Sequence, residues 1–186
     1  MDGEREKVED KSDARRPSFL ADAMDLRPMR PSDIDQVMLI ERGSFTSPWS
    51  AQFFLEEIGV SYSQSLLAEF QGRVVGYLIY WQLPSDVDVH NLAVHPDYRR
   101  RGVGRYLLTT MIHNAREKGF RRVTLEVRKS NSAAQRLYQS LGFVGNGVRR
   151  GYNVGISINS QGCSPPCNDI DEVAGVKWGR TTMNLN

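Results

Sequence analysis

The fold of this chain is decided by residues Asn91 to Leu108, NLAVHPDYRRRGVGRYLL. The residues up to Val94 are mostly apolar and indicate the end of a buried strand. From Val103 onward the apolar side chains follow the spacing of a helix. A short glycine-bearing turn must therefore join a strand to a helix.

This turn is suited to binding an anion. Because Gly102 and Gly104 lack side chains, several backbone N–H groups can converge there on one phosphate. The first turn of the helix adds unpaired N–H groups and the positive end of the helix dipole. Full positive charges surround the turn on Arg99, Arg100, Arg101 and Arg105. Glycines that serve only the turn, and arginines that form a solvated surface, are the simpler alternatives.

The glycine pattern narrows the kind of phosphate ligand. A nicotinamide-type fingerprint is disfavoured, because its third glycine would fall at position 107, which is Leu. A Walker loop is excluded, because no Gly-Lys-Ser/Thr follows. What remains is a diphosphate cradle without a metal-binding hydroxyl. Such a cradle suits a carrier such as coenzyme A better than a nucleotide whose phosphate is cleaved.

The length of 186 residues predicts one domain with tails. We expect residues 1–24 to form a disordered charged tail and residues 25–186 to form the domain. The longest mostly apolar run, Val74 to Leu83, is far too short to cross a bilayer, so no membrane span is expected. The net charge of +2 does not imply a general attraction to nucleic acid. Because Cys163 and Cys167 give no disulfide framework, we expect a cytoplasmic protein.

The rest of the chain alternates between strand and helix patterns. Ser32 with Asp35 resembles a capping box for a first helix that ends near Arg42, and Ser50 can cap a second helix. Two further helices are predicted, one at Val103 to Lys118 and one at Ser132 to Leu141, which Asn131 or Ser130 caps. The predicted strands are Asp25 to Met29, Gln64 to Phe70, Val74 to Gln82, a strand that ends at Val94, Val123 to Arg128, Phe143 to Val148 and Lys177 to Leu185. Strands interleaved with helices after a hairpin indicate an α/β (α+β) layer.

A second stretch, LEVRKSNSAAQRLYQSLGF at Leu125 to Phe143, reinforces the first. Together the two resemble the GNAT (Gcn5-related) N-acetyltransferase superfamily. Phe45, the run Pro48-Trp49-Ser50 and the ending Arg149-Arg150-x-Tyr152 resemble its RimI-like branch, the ribosomal-protein-alanine N-acetyltransferases. The resemblance covers about Asp25 to Tyr152. It implies a GNAT fold, a mixed and mostly antiparallel central sheet flanked by helices, in which the strand, glycine turn and helix form an acetyl-CoA cradle.

The resemblance also implies which residues bind the two substrates. The strand at Leu92, Ala93 and Val94 would pair through its backbone with the pantetheine arm of acetyl-CoA. The pyrophosphate would be held by Arg100, Arg101, Gly102, Val103, Gly104 and Arg105, and Asn131 would contact the cofactor from the cap of the last helix. Phe45, Trp49 and Tyr152 would line the acceptor slot, although Phe45 and Trp49 could equally be core residues.

The implied reaction moves an acetyl group from a thioester to an amine. A peptide α-amine has a pKa of about 7.7 to 8.0, against about 10.4 for Lys, so a modest base is enough for an N-terminal acceptor. Glu126 matches the family's base, and Tyr138 can protonate the departing thiolate. Backbone N–H groups near Leu92 to Val94 would bind the oxyanion. The alternatives are an exposed Glu126 paired with Arg128, and a Tyr138 that only fills the edge of the core.

We expect no metal site and no direct binding of nucleic acid. His90, His95 and His113 do not have the spacing of metal ligands, and the pair Cys163 and Cys167 supplies only two. The expected partner is the N-terminus of an acceptor protein, with a ribosomal protein as the first candidate. The sequence does not predict the oligomeric state.

The chain departs from the family pattern after Tyr152. Family members usually continue with a second Tyr and an acidic pair, whereas this chain has Asn153 and then a segment rich in Gly, Ser, Asn and Pro. We expect residues 152–175 to form an irregular loop before a last strand; a non-homologous ending is the alternative. This departure bears most on the prediction of the acceptor substrate.

Three other functions compete with N-terminal acetylation. They are acetylation of lysine or small amines, a catalytically silent acetyl-CoA-binding module, and RNA binding through Tyr98 to Arg105.

Overall fold

The computed structural model describes residues 23–128, 130–145, 158–159 and 182–184. Within them, seven strands form one sheet in the order β1-β2-β3-β4-β5-β7-β6. The strands are β1 (Met24–Pro28), β2 (Ser63–Phe70), β3 (Arg73–Gln82), β4 (Asp86–Val94), β5 (Arg122–Leu125), β6 (Ile158–Asn159) and β7 (Thr182–Asn184). The helices are α1 (Ile34–Ser44), α2 (Ala51–Gly59), α3 (Val103–Glu117) and α4 (Ser132–Ser140). Short 3-10 turns at Pro31–Asp33 and Pro96–Tyr98 come before α1 and α3.

The sheet is mixed and mostly antiparallel, so the predicted fold class is confirmed. β1 to β4 are antiparallel neighbours, and β5 pairs antiparallel with β7. The pairs β4–β5 and β6–β7 are parallel. In the described residues no helix combines the length and the apolar character needed to cross a membrane.

Helices cover both faces of the sheet with separate cores. On one side, which we call the α3 face, Leu107, Leu108 and Met111 are fully buried and pack on the sheet. On the other side, the α1–α2 face, Ile40 of α1 and Phe54 of α2 are fully buried. Burying one such side chain contributes about 1.5–3 kcal/mol, so the two cores fix the helices on the sheet.

Several local predictions are confirmed by hydrogen bonds or backbone angles. The Ser50 hydroxyl oxygen accepts a bond from the Phe53 N–H at 3.2 Å and caps α2. Gln71 and Gly72 have φ angles of 51° and 74°, the two positive values that a type I′ hairpin turn requires. Gly119, with a φ of 77°, follows the end of α3.

Other local predictions are wrong. Ser32 and Asp35 do not form a capping box, because Asp33 instead accepts a hydrogen bond from the Arg30 N–H at 2.8 Å. An ion pair of 2.7 Å between Asp33 and Arg27 of β1 fixes this choice. The strand predicted from Phe143 to Val148 is not formed over residues 143–145, and its remainder lies outside the described residues.

The two ends of the chain are described only in part. β1 begins at Met24, inside the predicted tail of residues 1–24. β7 falls within the predicted last strand, Lys177 to Leu185, and pairs with β5. β6 is a two-residue strand inside the segment predicted as an irregular loop. The remaining residues of both segments lie outside the described part, so the tail and the loop stay predictions.

The sheet opens between its two central parallel strands. The ladder between β4 and β5 runs from Asp86–Arg122 to Val89–Leu125, while β4 continues to Val94 on β3. A β-bulge follows Val89, because Tyr80 pairs with Val89 and Ile79 with Asn91, which leaves His90 as the extra residue. The end of the ladder creates a gap at the carboxyl ends of both strands, the place where open sheets with parallel strands bind their ligands.

Gly76 on β3 allows α3 to lie close to the sheet. A Cβ at this position would lie 2.9 Å from Val103 Cγ1 and 3.1 Å from the Ala93 carbonyl oxygen. We therefore expect Gly76→Ala to lower the free energy of unfolding by about 1–3 kcal/mol, measured by chemical denaturation. Gly59→Ala is the control, because a Cβ there meets nothing within 4 Å. Equal stability of the two variants would contradict the close packing.

Candidate active site

One edge of β4 faces the gap between β4 and β5. Leu92, Ala93 and Val94 are buried, and on their other side they pair with Leu78, Tyr77 and Gly76 of β3. In the described residues the β4–β5 ladder has already ended at Val89, so backbone groups on this edge of β4 face the gap. An extended ligand can pair there as an additional strand.

The turn between β4 and α3 has the shape of an anion nest. Arg100 and Gly102 both have left-handed backbone angles, with φ of 61° and 82°. Gly102 is the N-cap of α3, and its carbonyl oxygen accepts the first helical bond, from Tyr106 N–H at 2.9 Å. The N–H groups of Val103, Gly104 and Arg105 therefore belong to the first turn, which has no acceptors within the helix. Open space surrounds a Cβ built on Gly102, so a ligand can approach the backbone.

The arginines of the turn divide into two that brace and two that face solvent. Arg99 binds the Val94 carbonyl oxygen at 3.2 Å and the Ser44 hydroxyl at 2.9 Å, so it ties the turn to β4 and α1. Arg105 binds the Ser140 hydroxyl at 2.7 Å and ties α3 to α4. Arg100 and Arg101 are exposed, and Arg101 lies over the Tyr98 ring at 5.6 Å. The exposed pair leaves two positive charges on the surface of the turn, whereas Arg99 and Arg105, which were also expected to supply charge, bind neighbouring elements.

Replacing Gly102 by Ala is expected to weaken acetyl-CoA binding about tenfold or more. A side chain strains the left-handed backbone by about 1–2 kcal/mol, and relief of that strain would rotate the N–H groups of the nest. Calorimetry with acetyl-CoA measures the effect.

Gly119→Ala is the matched control for Gly102→Ala, because Gly119 has a similar φ of 77° and follows the opposite end of the same helix. It should lose similar stability and keep its affinity. Equal affinities of the two variants would contradict the nest.

Glu126 follows β5 on the side of the gap opposite β4. Its neighbours Leu125 and Val127 belong to the core on the α3 face, so strand alternation points Glu126 to the α1–α2 face. Glu126 is 9% exposed. It is therefore not the exposed residue that the alternative interpretation requires.

Tyr138 is fully buried on α4, and its ring lies 5.6 Å from that of Phe143. Within the described residues its hydroxyl has no hydrogen-bond partner. Burial raises the pKa of Tyr138 well above its usual value, so the phenol stays protonated. Leaving a buried hydroxyl unpaired costs about 1–3 kcal/mol, so a partner from outside the described residues would stabilise it. A Tyr138 that only fills the edge of the core would explain the burial of the ring but not the presence of the hydroxyl.

The N-terminus of α4 is capped as predicted. Asn131 Oδ1 accepts a hydrogen bond from the Ala134 N–H at 3.0 Å. Asn131 and Tyr138 lie seven residues apart, which is about 10 Å along one face of a helix. Asn131 therefore lies at the N-terminal end of α4, and Tyr138 lies two helical turns further along the same face.

A buried carboxylate that sequence reasoning missed connects the two sides of the acceptor region. Glu41 of α1 is fully buried and accepts hydrogen bonds from the Trp49 N–H at 2.6 Å, from the Tyr77 hydroxyl and from Asn91 Nδ2 at 3.3 Å. It thus links the loop before α2 to β3 and to the bulged part of β4. Its position seven residues after Ile34 falls on the apolar stripe of α1, which was the available signal.

The residues predicted to line the acceptor slot lie in different environments. Trp49 is buried, and its ring lies 4.4 Å from Phe53 and 5.4 Å from Phe54. Phe45 is half-buried on the same core. Tyr152 lies outside the described residues. Phe53, which was not singled out, is the more exposed of these aromatic side chains.

In the part of the chain that the structure describes, no group of three or more His, Cys, Asp or Glu side chains could hold a metal ion.

The chain belongs to the acetyltransferase (GNAT) family, whose pattern residues 34–143 match. The match begins with α1 and ends after α4, so it includes every element that surrounds the gap.

Relatives with similar sequences include bS18-alanine N-acetyltransferases, one branch of this family. A ribosomal protein bS18-alanine N-acetyltransferase of Escherichia coli is 35% identical over 124 residues, which are 67% of this chain and 83% of the relative. A second relative, from Bacillus subtilis, has been assigned the same activity without proof. It is 39% identical over 128 residues, which are 68% of this chain and 85% of the relative.

Solved structures agree with the sequence relatives. The crystal structure of the ribosomal-protein-S18-alanine N-acetyltransferase from Escherichia coli has a TM-score of 0.66 at 29% identity, and covers 72% of this chain and 88% of the other. The PaiA N-acetyltransferase of Thermoplasma acidophilum, solved in complex with coenzyme A, has a TM-score of 0.65 at 18% identity, with 72% of this chain and 96% of the other covered, and shares the fold.

Proposed function

We propose that this protein transfers an acetyl group from acetyl-CoA to the N-terminal α-amine of a protein, with the N-terminal alanine of a ribosomal protein as the acceptor. The observation that supports this acceptor is the likeness to bS18-alanine N-acetyltransferases over two thirds of the chain. A newly made protein N-terminus is a cytoplasmic substrate, so we place the enzyme in the cytoplasm.

In this proposal the coenzyme A part of the substrate lies across the gap. The edge of β4 at Leu92, Ala93 and Val94 pairs with the pantetheine arm, and the nest at Gly102 with the first turn of α3 binds the pyrophosphate. Arg100 and Arg101 add charge, while Arg105 contributes its backbone N–H. Asn131 contacts the arm from the cap of α4. The thioester then lies between Glu126 and Tyr138.

The chemistry needs a proton acceptor on the amine side and a proton donor on the thiol side. Acetyl-CoA supplies an activated acyl group. Glu126, on the α1–α2 face, accepts a proton from the attacking nitrogen. Tyr138 donates a hydrogen bond and then its proton to the departing sulfur, so the buried hydroxyl has a partner while the thioester is bound. Backbone N–H groups near Leu92 to Val94 stabilise the negative oxygen.

Phe45, Trp49 and Tyr152 are placed around the acceptor. Because Trp49 is buried, its contribution is to shape the slot through the loop that Glu41 holds.

A panel of peptides tests the proposed acceptor. The protein is incubated with acetyl-CoA and with three related peptides. The first has a free N-terminal Ala and no Lys, the second has a blocked N-terminus and an internal Lys, and the third has a free N-terminal Ala and an internal Lys. Intact-mass analysis should show one added acetyl group on the first and third peptides and none on the second. Acetylation of the blocked peptide alone, or of polyamines in preference to all peptides, would refute the N-terminal acceptor.

A further inference from the structure

Transfer of an acetyl group to an α-amine releases two protons from one nitrogen. At neutral pH the amine arrives mostly as an ammonium group and must lose one proton before it can attack. Once the C–N bond forms, the nitrogen becomes positively charged again and loses a second proton. If Glu126 accepts one of them, a second group beside the nitrogen can accept the other. This inference rests on the proposed function.

The bulge in β4 brings a second acid–base residue to the acceptor side. Because His90 is the extra residue of the bulge, His90 and Asn91 lie on the same side of β4. Asn91 binds Glu41 of α1, so this side is the α1–α2 face.

His90 also lies across the gap from Glu126. Val89 and Leu125 form the last pair of the β4–β5 ladder, and His90 and Glu126 are the next residues on the two strands. Glu126 points to the α1–α2 face as well. Two acid–base side chains therefore stand opposite each other where the strands separate.

The surroundings of His90 keep its imidazole neutral and oriented. The side chain is 8% exposed, and its ring stacks on Trp81 of β3 at a centroid distance of 4.0 Å. Burial lowers the pKa of His90, and this effect exceeds the opposite effects of Asp88, 3.6 Å away on β4, and of Glu57 on α2. Glu126, which follows β5, is a further charged group on this face. Glu41 of α1 is another, and it accepts a hydrogen bond from Asn91, the residue after His90.

We propose that His90 is a second proton acceptor for the acceptor amine and acts opposite Glu126. The neutral imidazole takes the proton of the ammonium group, and the freed electron pair of the nitrogen forms the C–N bond. Glu126 takes the second proton from the nitrogen, which is far more acidic once the bond has formed. The C–S bond then breaks, its electron pair stays on sulfur, and Tyr138 protonates the thiolate. Tyr138 regains a proton from solvent, and His90 and Glu126 release theirs to it, so that one proton is released in each turnover. An imidazole suits the first step, because its neutral form is present at neutral pH and has a ring nitrogen that can accept a proton.

His90→Phe tests the proposal, because a phenyl ring keeps the stacking on Trp81 and removes both ring nitrogens. At pH 6.5 we expect kcat/KM for the amine acceptor to fall about 10- to 100-fold, while the Kd of acetyl-CoA stays within about twofold. At pH 9 the amine arrives mostly neutral, so the loss should shrink to less than about threefold. A residue that only packs would give the same loss at both pH values.

His113→Phe is the matched control, since the His113 side chain is 70% exposed on α3. His90→Gln is measured alongside, so that a folding defect of the Phe variant does not decide the result. A loss that is equal at pH 6.5 and pH 9, or no loss, would overturn the role of His90.

The acceptor amine in this assay is whichever one the wild type acetylates. A wild type that uses only lysine refutes the N-terminal acceptor. The His90 variants are then compared between pH 6.5 and about pH 10.5, where about half of the lysine amine is neutral, and the loss should again shrink at the higher pH. A wild type that acetylates no amine overturns both proposals.

Discussion

Replacing Tyr138 by Phe is expected to lower kcat about 100-fold or more and to leave the protein at least as stable as the wild type. The loss follows because the thiolate departs without its proton donor. The stability follows from the buried hydroxyl, which has no partner in the described residues and costs free energy there. Steady-state kinetics and chemical denaturation measure the two effects.

This combination separates a catalytic role from a structural one. Tyr80→Phe is the control, because Tyr80 is a buried tyrosine of the same core. It should keep its kcat. Acetyl-CoA should bind the Tyr138 variant with a Kd within about tenfold of the wild type, because a single hydrogen bond to a neutral group contributes about 0.5–1.5 kcal/mol. An unchanged kcat, or a loss explained by failure to bind acetyl-CoA, would contradict the assigned role.

Glu126→Gln should produce a loss of similar size, about 100-fold in kcat, with little change in the Kd of acetyl-CoA. The amide keeps the size of the side chain and removes the ability to accept a proton. Because Glu126 takes the proton released after attack, the decrease of kcat in Glu126→Gln should persist at high pH. The decrease in the His90→Phe variant should not. Rate measurements from pH 6.5 to pH 9 check this difference.

The control for Glu126 is Glu117→Gln, because Glu117 has a side chain 65% exposed at the end of α3. It should behave as the wild type at every pH. A Glu126→Gln enzyme with normal kcat would refute the carboxylate as a proton acceptor.

The elements that the sequence predicts best are those set by neighbouring residues. The spacing from Asn91 to Leu108 gives the strand, turn and helix correctly, because hydrophobic period and glycine position are local properties. The Ser50 and Asn131 caps and the turn at Gln71 are correct for the same reason.

The elements that it predicts poorly depend on distant partners. Asp33 replaces Ser32 as the residue that begins the first helix, since Arg27 of β1 binds its carboxylate. The buried role of Glu41 requires Tyr77 and Asn91, which lie on two other strands. The gap between β4 and β5, and the bulge that places His90 on the α1–α2 face, follow from the register of the sheet. The roles of Glu126, Tyr138 and the acceptor residues stay predictions that the variants above test.

Calorimetric titration of the full chain with acetyl-CoA tests the central claim most directly, that the edge of β4 and the Gly102 nest form one binding site for the thioester. We expect one molecule to bind per chain, with a Kd on the order of 1–100 µM, in the range of typical substrate affinities. The absence of any binding heat at several temperatures would contradict the account.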